Sequence, residues 1–258
     1  MMSAIEVSYL VEGEGPPLYM VHGIGSRKAG WSQLVPYLSD VFTCVTYDLR
    51  GHGDSPVPQP PYTLDELVED LEALRQKLGH EKIHIIGHSL GGMIGPAYAK
   101  AFLKRTLTLG LLSTAAGRNE SDKNKLHKVR LKLEELGIEG IIDVLVDRWY
   151  TDEFVIRSPE WVELRKEQLL ATPESVFSSV FQIYADTEMA PWLCEIMCPS
   201  LVLTGEQDGG CNPRLNRFIA NELPDAELVI LDHLKHSVLI EAPERVAVPV
   251  RDFLLRNC

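Results

Sequence analysis

An apolar run that ends in a serine between glycines constrains the fold of this chain more than any other feature. Residues 85–92 read Ile-Ile-Gly-His-Ser-Leu-Gly-Gly. Gly87 and Gly91 flank Ser89 at two residues' distance, where a larger side chain would clash in a tight turn from a strand into a helix. The pattern predicts such a turn, with the Ser89 hydroxyl exposed at its tip. Because the motif also arises by chance, an ordinary loop serine remains the alternative until partners are found.

Short β-branched segments alternate with helical patterns on both sides of this turn, and glycines cluster where the segments end. This alternation predicts a mostly parallel central sheet covered by helices on both faces, with ligands bound beyond the carboxyl ends of the strands. Thr63 and Glu66 have the spacing of a capping box at the start of one helix. Pro96 and Pro249 lie inside two other predicted helices and predict kinks there. The predicted strands are 5–11, 18–21, 42–47, 82–86, 106–113, 200–204 and 227–231, and the helices flanking them include 31–38, 90–103 and 243–255.

The strand pattern disappears between residues 118 and 191. Four helical patterns replace it, at about 123–136, 140–150, 159–170 and 173–185. We therefore expect residues 1–117 and 192–258 to form an α/β core and residues 118–191 to form an inserted helical lid.

Composition and charge exclude several classes of partner. The 258 residues carry 37 acidic and 25 basic side chains, a net charge of −12, which disfavours nucleic acid and anionic membranes. The N-terminus has no signal-peptide pattern and no apolar stretch reaches the length of a membrane span, so we expect a cytoplasmic protein. Five scattered cysteines predict reduced thiols. Cys194 and Cys198 lack a second pair of ligands, so no metal is expected.

Two later residues supply what a nucleophilic serine needs, namely a base and an acid that orients the base. Asp208 follows the strand 200–204, and His236 follows the strand 227–231. The order Ser89, Asp208, His236 is the one expected for a triad built on this kind of sheet. Glu206 is the main alternative acid and Asp122 a weaker one. Two backbone N–H groups are expected to bind the oxyanion, one from Leu90 and one from Ile24 in the loop 22–25, with His22 bracing that loop.

These motifs resemble those of the α/β-hydrolase superfamily over nearly the whole chain. Residues 48–55 (Asp-Leu-Arg-Gly-His-Gly-Asp-Ser), 87–93 and 236–244 look like segments of capped esterases, enol-lactonases and carbon-carbon bond hydrolases. The resemblance implies the α/β-hydrolase fold, the triad and oxyanion roles given above, and no cofactor. Lys235 departs from the glycine that many relatives have before the histidine. Ser89 argues against the dehalogenase and epoxide-hydrolase branches, and His88 argues mildly against the carbon-carbon hydrolases.

The expected activity is hydrolysis of a small, partly apolar carboxylic ester or lactone through an acyl-enzyme, by a monomer or homodimer. Cleavage of a vinylogous diketone and a ligand-binding receptor with little turnover are the alternatives. About two of the lid's aromatic residues are expected to contact substrate, with Trp149 and Phe181 chosen for that role. Arg27 and Lys28 either bind a substrate carboxylate or are solvated surface charges. The six aromatic candidates are Trp149, Tyr150, Trp161, Phe177, Phe181 and Tyr184.

Overall fold

A seven-stranded sheet forms the centre of the molecule in the computed structural model, which describes residues 4–258. The strand order is β1-β3-β2-β4-β5-β6-β7, and every neighbouring pair is parallel except β1 with β3. The predicted, mostly parallel sheet is thus confirmed. The strands are β1 (Tyr9–Glu12), β2 (Pro17–Val21), β3 (Thr43–Tyr47), β4 (Ile83–His88), β5 (Thr106–Leu112), β6 (Ser200–Gly205) and β7 (Ala226–Leu231).

Helices cover both faces of the sheet, because alternate residues of each buried strand point to opposite sides. Tyr19 and Val21 join one apolar cluster, which includes side chains of α1 (Leu64–Lys77), α2 (Gly91–Ala101) and α8 (Pro213–Glu222). Leu18 and Met20 join another, with side chains of α10 (Pro243–Arg256). The two-sided core explains why the central strands are mostly apolar on both faces.

Five helices lie between β5 and β6 with no strand among them, which confirms an inserted helical region. The assignment of residues 118–191 as a separate lid domain stays a prediction. These helices are α3 (Glu120–Leu136), α4 (Ile142–Trp149), α5 (Asp152–Arg157), α6 (Pro159–Leu170) and α7 (Glu174–Asp186).

Several local predictions can be compared with the structure. The capping box is present, since Thr63 and Glu66 each accept a hydrogen bond from the other's backbone N–H. Residues 31–38 do not form the expected helix but two short 3₁₀ turns, Lys28–Trp31 and Val35–Tyr37. The helices α2 and α10 each continue past their internal proline. Within residues 4–258, no helix is both long enough and apolar enough to cross a membrane.

Candidate active site

Ser89 occupies the turn between β4 and α2 that the glycine pattern predicts. Its φ is 57°, in the left-handed region that few residues other than glycine adopt. A Cβ on Gly87 would lie 2.0 Å from the Gly91 carbonyl oxygen, so the strand and helix approach this closely only with glycine there. The serine is 8 % exposed and borders a cavity of about 270 Å³ between the sheet edge and the inserted helices.

Asp208 and His236 meet at the wall of the same cavity. His236 Nδ1 lies 2.7 Å from Asp208 Oδ2. The other carboxylate oxygen, Oδ1, accepts hydrogen bonds from the backbone N–H groups of Gly210 (2.9 Å) and Cys211 (2.8 Å). Asp208 is therefore held in one orientation, with Oδ2 left for the imidazole.

Neither alternative acid contacts His236. Glu206 is exposed, and its carboxylate accepts a hydrogen bond from the backbone N–H of His233 at 3.1 Å. Asp122 caps the start of α3 by accepting from the Asn119 N–H at 3.0 Å, and it pairs with Arg214. The structure thus places Asp208 alone of the three beside the imidazole.

The buried pair shifts the protonation of both partners. Burial by itself would lower the pKa of His236, but the charge of Asp208 and the hydrogen bond to it raise that pKa above its ordinary value. Burial would raise the pKa of Asp208, and the charge of His236 together with the hydrogen bonds holds it below its ordinary value. The arrangement favours an imidazolium beside a carboxylate, the state that follows proton transfer from a serine hydroxyl.

His88 contacts the backbone of His236, which the sequence did not reveal. Its Nε2 donates to the His236 carbonyl oxygen at 3.0 Å, and the two ring centroids are 4.8 Å apart. Burial lowers the pKa of His88 to about 3, so the ring is neutral at physiological pH. His88 therefore helps to fix the loop that carries His236.

The loop after β2 packs directly against Ser89. A Cβ on Gly23 would lie 2.9 Å from the Ser89 Cβ. His22 Nδ1 donates to the Gly23 carbonyl at 2.8 Å, while its Nε2 accepts from the Leu49 N–H at 2.9 Å. Among residues 4–258, no protein acceptor takes a hydrogen bond from the N–H of Ile24 or of Leu90. These two N–H groups are thus available to a developing oxyanion.

The inserted helices supply most of the apolar cavity wall. All six aromatic candidates border the cavity, where about two had been expected to contact substrate: Trp149, Tyr150, Trp161, Phe177, Phe181 and Tyr184.

Charged groups also border the cavity, but they are not the ones singled out in the sequence. Lys28 pairs with Asp48 and Asp54, at 2.6 Å from each, and neither Arg27 nor Lys28 is part of the wall. Arg148 and Arg165 are part of it.

Arg165 carried a signal that sequence reasoning did not use. It lies in α6 four residues after Trp161 and three before Gln168, so the three side chains share one helical face, and all three border the cavity. A cation that shares a helical face with a large aromatic residue such as Trp161 can pack against neighbouring elements, whereas a cation among other charged residues would be an ordinary surface charge.

One group of side chains in the described part of the chain has donors close enough for a metal ion, namely Asp208, Cys211 and His236. The 2.7 Å separation of Asp208 Oδ2 and His236 Nδ1 is shorter than the roughly 3.3 Å between two ligands of a tetrahedral zinc ion. These residues fit an acid–base pair better than a metal centre.

Comparison with known proteins agrees with this geometry. A family model described as the alpha/beta hydrolase fold matches residues 16–243. The chain is 28 % identical over 242 residues to 3-oxoadipate enol-lactonase 2 of Acinetobacter baylyi, covering 93 % of this chain and 89 % of that protein.

Two solved structures are similar over almost the full length. The enol-lactonase from Burkholderia xenovorans LB400 superposes with a TM-score of 0.91 at 27 % identity, covering 97 % of each chain. A thermophilic esterase from Thermogutta terrifontis gives a TM-score of 0.88 at 27 % identity, covering 98 % of this chain and 94 % of that one.

Proposed function

The chain belongs to the alpha/beta hydrolase fold family, and we propose that within this family it is a serine hydrolase that cleaves a carboxylic ester or lactone through an acyl-enzyme. The observation that carries the proposal is the 2.7 Å contact between His236 and Asp208 at the wall of the cavity that Ser89 also borders. The relatives named above are lactonases and an esterase, which supports the same reaction class.

In the proposed mechanism, Ser89 Oγ attacks the substrate carbonyl carbon while His236 Nε2 accepts the hydroxyl proton. Asp208 holds Nδ1 protonated and stabilises the imidazolium. The tetrahedral oxyanion accepts hydrogen bonds from the N–H groups of Ile24 and Leu90. His236 then gives the proton to the leaving alkoxide, the carbon-oxygen bond breaks, and an acyl-enzyme remains. Water activated by His236 repeats the sequence and releases the acid.

Residues 118–191 act as a lid in this proposal, since their aromatic side chains border the cavity and exclude water from the acyl-enzyme. Trp149 and Phe181 are proposed to contact the apolar part of the substrate.

The charges at the cavity wall support a substrate with an anionic end. Arg148 and Arg165 face the cavity, whereas its one lining carboxylate, Asp208, is already paired with His236. A positive wall inside a protein of net charge −12 favours an ester or lactone that also carries a carboxylate.

The test measures steady-state hydrolysis of nitrophenyl esters, small lactones and a vinylogous diketone by the purified protein. We expect repeated turnover of esters or lactones and its loss in Ser89→Ala. At most one slow turnover per chain would indicate a receptor, and preferential cleavage of the diketone would indicate a carbon-carbon bond hydrolase.

The anionic preference is tested separately with a monoaryl ester of a dicarboxylic acid and its neutral methyl-capped counterpart. We expect kcat/KM to be about tenfold higher for the anionic ester at low salt, as for one added ion pair in a partly buried site. A higher kcat/KM for the neutral ester would refute the preference.

A further inference from the structure

We propose that Arg165 is a positioning residue that couples the inserted helices to the oxyanion loop, residues 22–25. The proposal rests on the proposed function, because it assigns the Ile24 N–H to the oxyanion. In this role, the guanidinium orients the Ile24 N–H and makes no hydrogen bond to the oxyanion itself.

The guanidinium bridges two parts of the chain that are about 140 residues apart. Its Nη2 donates to the Ile24 carbonyl oxygen at 3.0 Å, and its Nη1 donates to the Gly25 carbonyl oxygen. The guanidinium carbon lies 4.5 Å from the centre of the Trp149 ring in α4. Two consecutive carbonyls of the loop are therefore held by one rigid group from α6, which is itself packed on a second helix.

The core holds the same loop from its other side. The Gly25 N–H donates to His52 Nε2 at 3.1 Å, so the peptide group joining Ile24 to Gly25 is held at its carbonyl by Arg165 and at its N–H by His52. The preceding peptide group is held at the Gly23 carbonyl by His22. The Ser26 N–H also donates to the Gly23 carbonyl, at 3.2 Å. With both peptide planes fixed, the Ile24 N–H has one orientation, and of these contacts only the one from Arg165 comes from the inserted helices.

Apolar packing strengthens the same connection. Ile24 is partly buried against an apolar cluster of the inserted helices that includes Leu169 and Phe177. A movement of α6 or α7 relative to the sheet would therefore change the position of Ile24 as well as the shape of the cavity.

The charge environment of Arg165 is consistent with this role. Within the described residues it makes no salt bridge, so its charge is met by two carbonyl dipoles and an aromatic face. Burial lowers the pKa of His52 to about 4, and the charge of Arg165 acts in the same direction. The cation thus helps to keep His52 neutral, which Nε2 requires in order to accept from the Gly25 N–H.

The experiment compares Arg165→Met with Lys166→Met, a matched loss of the adjacent cation of α6, which does not border the cavity and pairs with Asp143 and Glu163. Substrates are neutral nitrophenyl esters, so that loss of an ion pair with substrate has no effect. We expect Arg165→Met to lower kcat about 10- to 100-fold, the range for a misplaced reacting group, with KM changed less than about threefold. Affinity for a trifluoromethyl ketone, which forms an oxyanion on Ser89, should fall by the same factor. Lys166→Met should keep kcat within about twofold.

Arg165→Lys keeps the charge and one donor, and we expect it to recover part of the lost kcat. The melting temperature of each variant and the fraction labelled by a fluorophosphonate show whether the fold is intact. If the neutral-ester kcat of Arg165→Met matches the wild type, the coupling is refuted while the proposed function stands. If the wild-type protein neither turns over esters nor labels at Ser89, the proposed function fails and the coupling fails with it.

Discussion

Replacing Asp208 by asparagine should reverse the tautomer of His236. The Oδ1 atom of Asp208 accepts two backbone N–H groups, from Gly210 and Cys211. An asparagine must keep its oxygen at that position, because its NH₂ group cannot accept those hydrogen bonds. The NH₂ then faces His236 Nδ1 in place of Oδ2. Nδ1 becomes an acceptor and the ring proton moves to Nε2, the nitrogen that has to accept the serine proton.

The size of the effect follows from the two functions that Asp208 would lose. Reversal of the tautomer in a triad of this kind lowers kcat by about 10⁴-fold, or about 5 kcal/mol of transition-state stabilisation. The charge that raises the pKa of His236 is also removed, while the burial that lowers it remains. Since the neutral imidazole is the active form, we expect the acidic limb of the kcat/KM profile to move to lower pH.

The assay is kcat/KM for a nitrophenyl ester between pH 5 and 10, measured for the wild type, Asp208→Asn and Glu206→Gln. Glu206 is the matched control, because it is an exposed carboxylate two residues away. An Asp208→Asn enzyme within tenfold of the wild type at neutral pH would refute the tautomer argument. So would a Glu206→Gln enzyme that is equally impaired.

Two further predictions concern the surroundings of Ser89 and His236, and a third concerns His84, a buried residue near the start of β4. His88→Ala removes the donor to the His236 carbonyl, and kcat/KM should fall about tenfold, the worth of one net hydrogen bond; an unchanged value would exclude a bracing role. Gly23→Ala places a methyl group 2.9 Å from the Ser89 Cβ, so the rate of fluorophosphonate labelling should fall about 100-fold. Labelling at the wild-type rate would show that the loop moves to accommodate the methyl group. His84 is fully buried with a pKa lowered to about 4, so its contribution to stability is present above pH 6.5 and is lost as the pH falls towards 4. Between pH 7 and pH 5, the free energy of unfolding measured in urea should therefore fall by about 2 kcal/mol less in His84→Gln than in the wild type. Equal falls in the two proteins would contradict the lowered pKa of His84.

Elements with strong local signals could be predicted from the sequence. The helix that begins after Thr63 has a capping box and an apolar stripe, and it forms as expected. Asn212 followed by Pro213 carries a comparable start signal for α8, with the Asn212 side chain accepting from the Leu215 N–H, yet no helix had been predicted there. The capping side chain and the proline are together sufficient to predict the start of this helix.

The helix predicted at residues 31–38 does not form, for a physical reason. Apolar residues at helical spacing are also satisfied by successive 3₁₀ turns, and Pro36 inside the segment cannot donate the hydrogen bond that a continuous α-helix needs there. Spacing alone does not distinguish these two backbones.

Part of the candidate site could be predicted from the order of the strands, and part could not. Ser89, Asp208 and His236 each follow a strand, and parallel strands bring their carboxyl ends to one edge of the sheet, so strand order along the chain was enough to propose them together. The contacts of His88 and Arg165 join residues 148 and 141 positions apart and depend on how loops and helices pack. No periodicity encodes such contacts, and only the position of Arg165 one helical turn after Trp161 indicated one.

The bridge from Arg165 to the Ile24 carbonyl has a consequence for when the protein acquires activity. During synthesis, the loop after β2 emerges early and α6 emerges about 140 residues later, and His236 follows near the end of the chain. Contacts between residues this far apart form late in folding, because a long loop must close before they stabilise anything. Strands β1 to β5 precede α6 in the chain and pair with one another over shorter separations. In a nascent or newly refolded chain, these five strands should therefore form before Arg165 holds the loop after β2. This part of the sheet can then resist proteases at a stage when the loop beside Ser89 is still free to move.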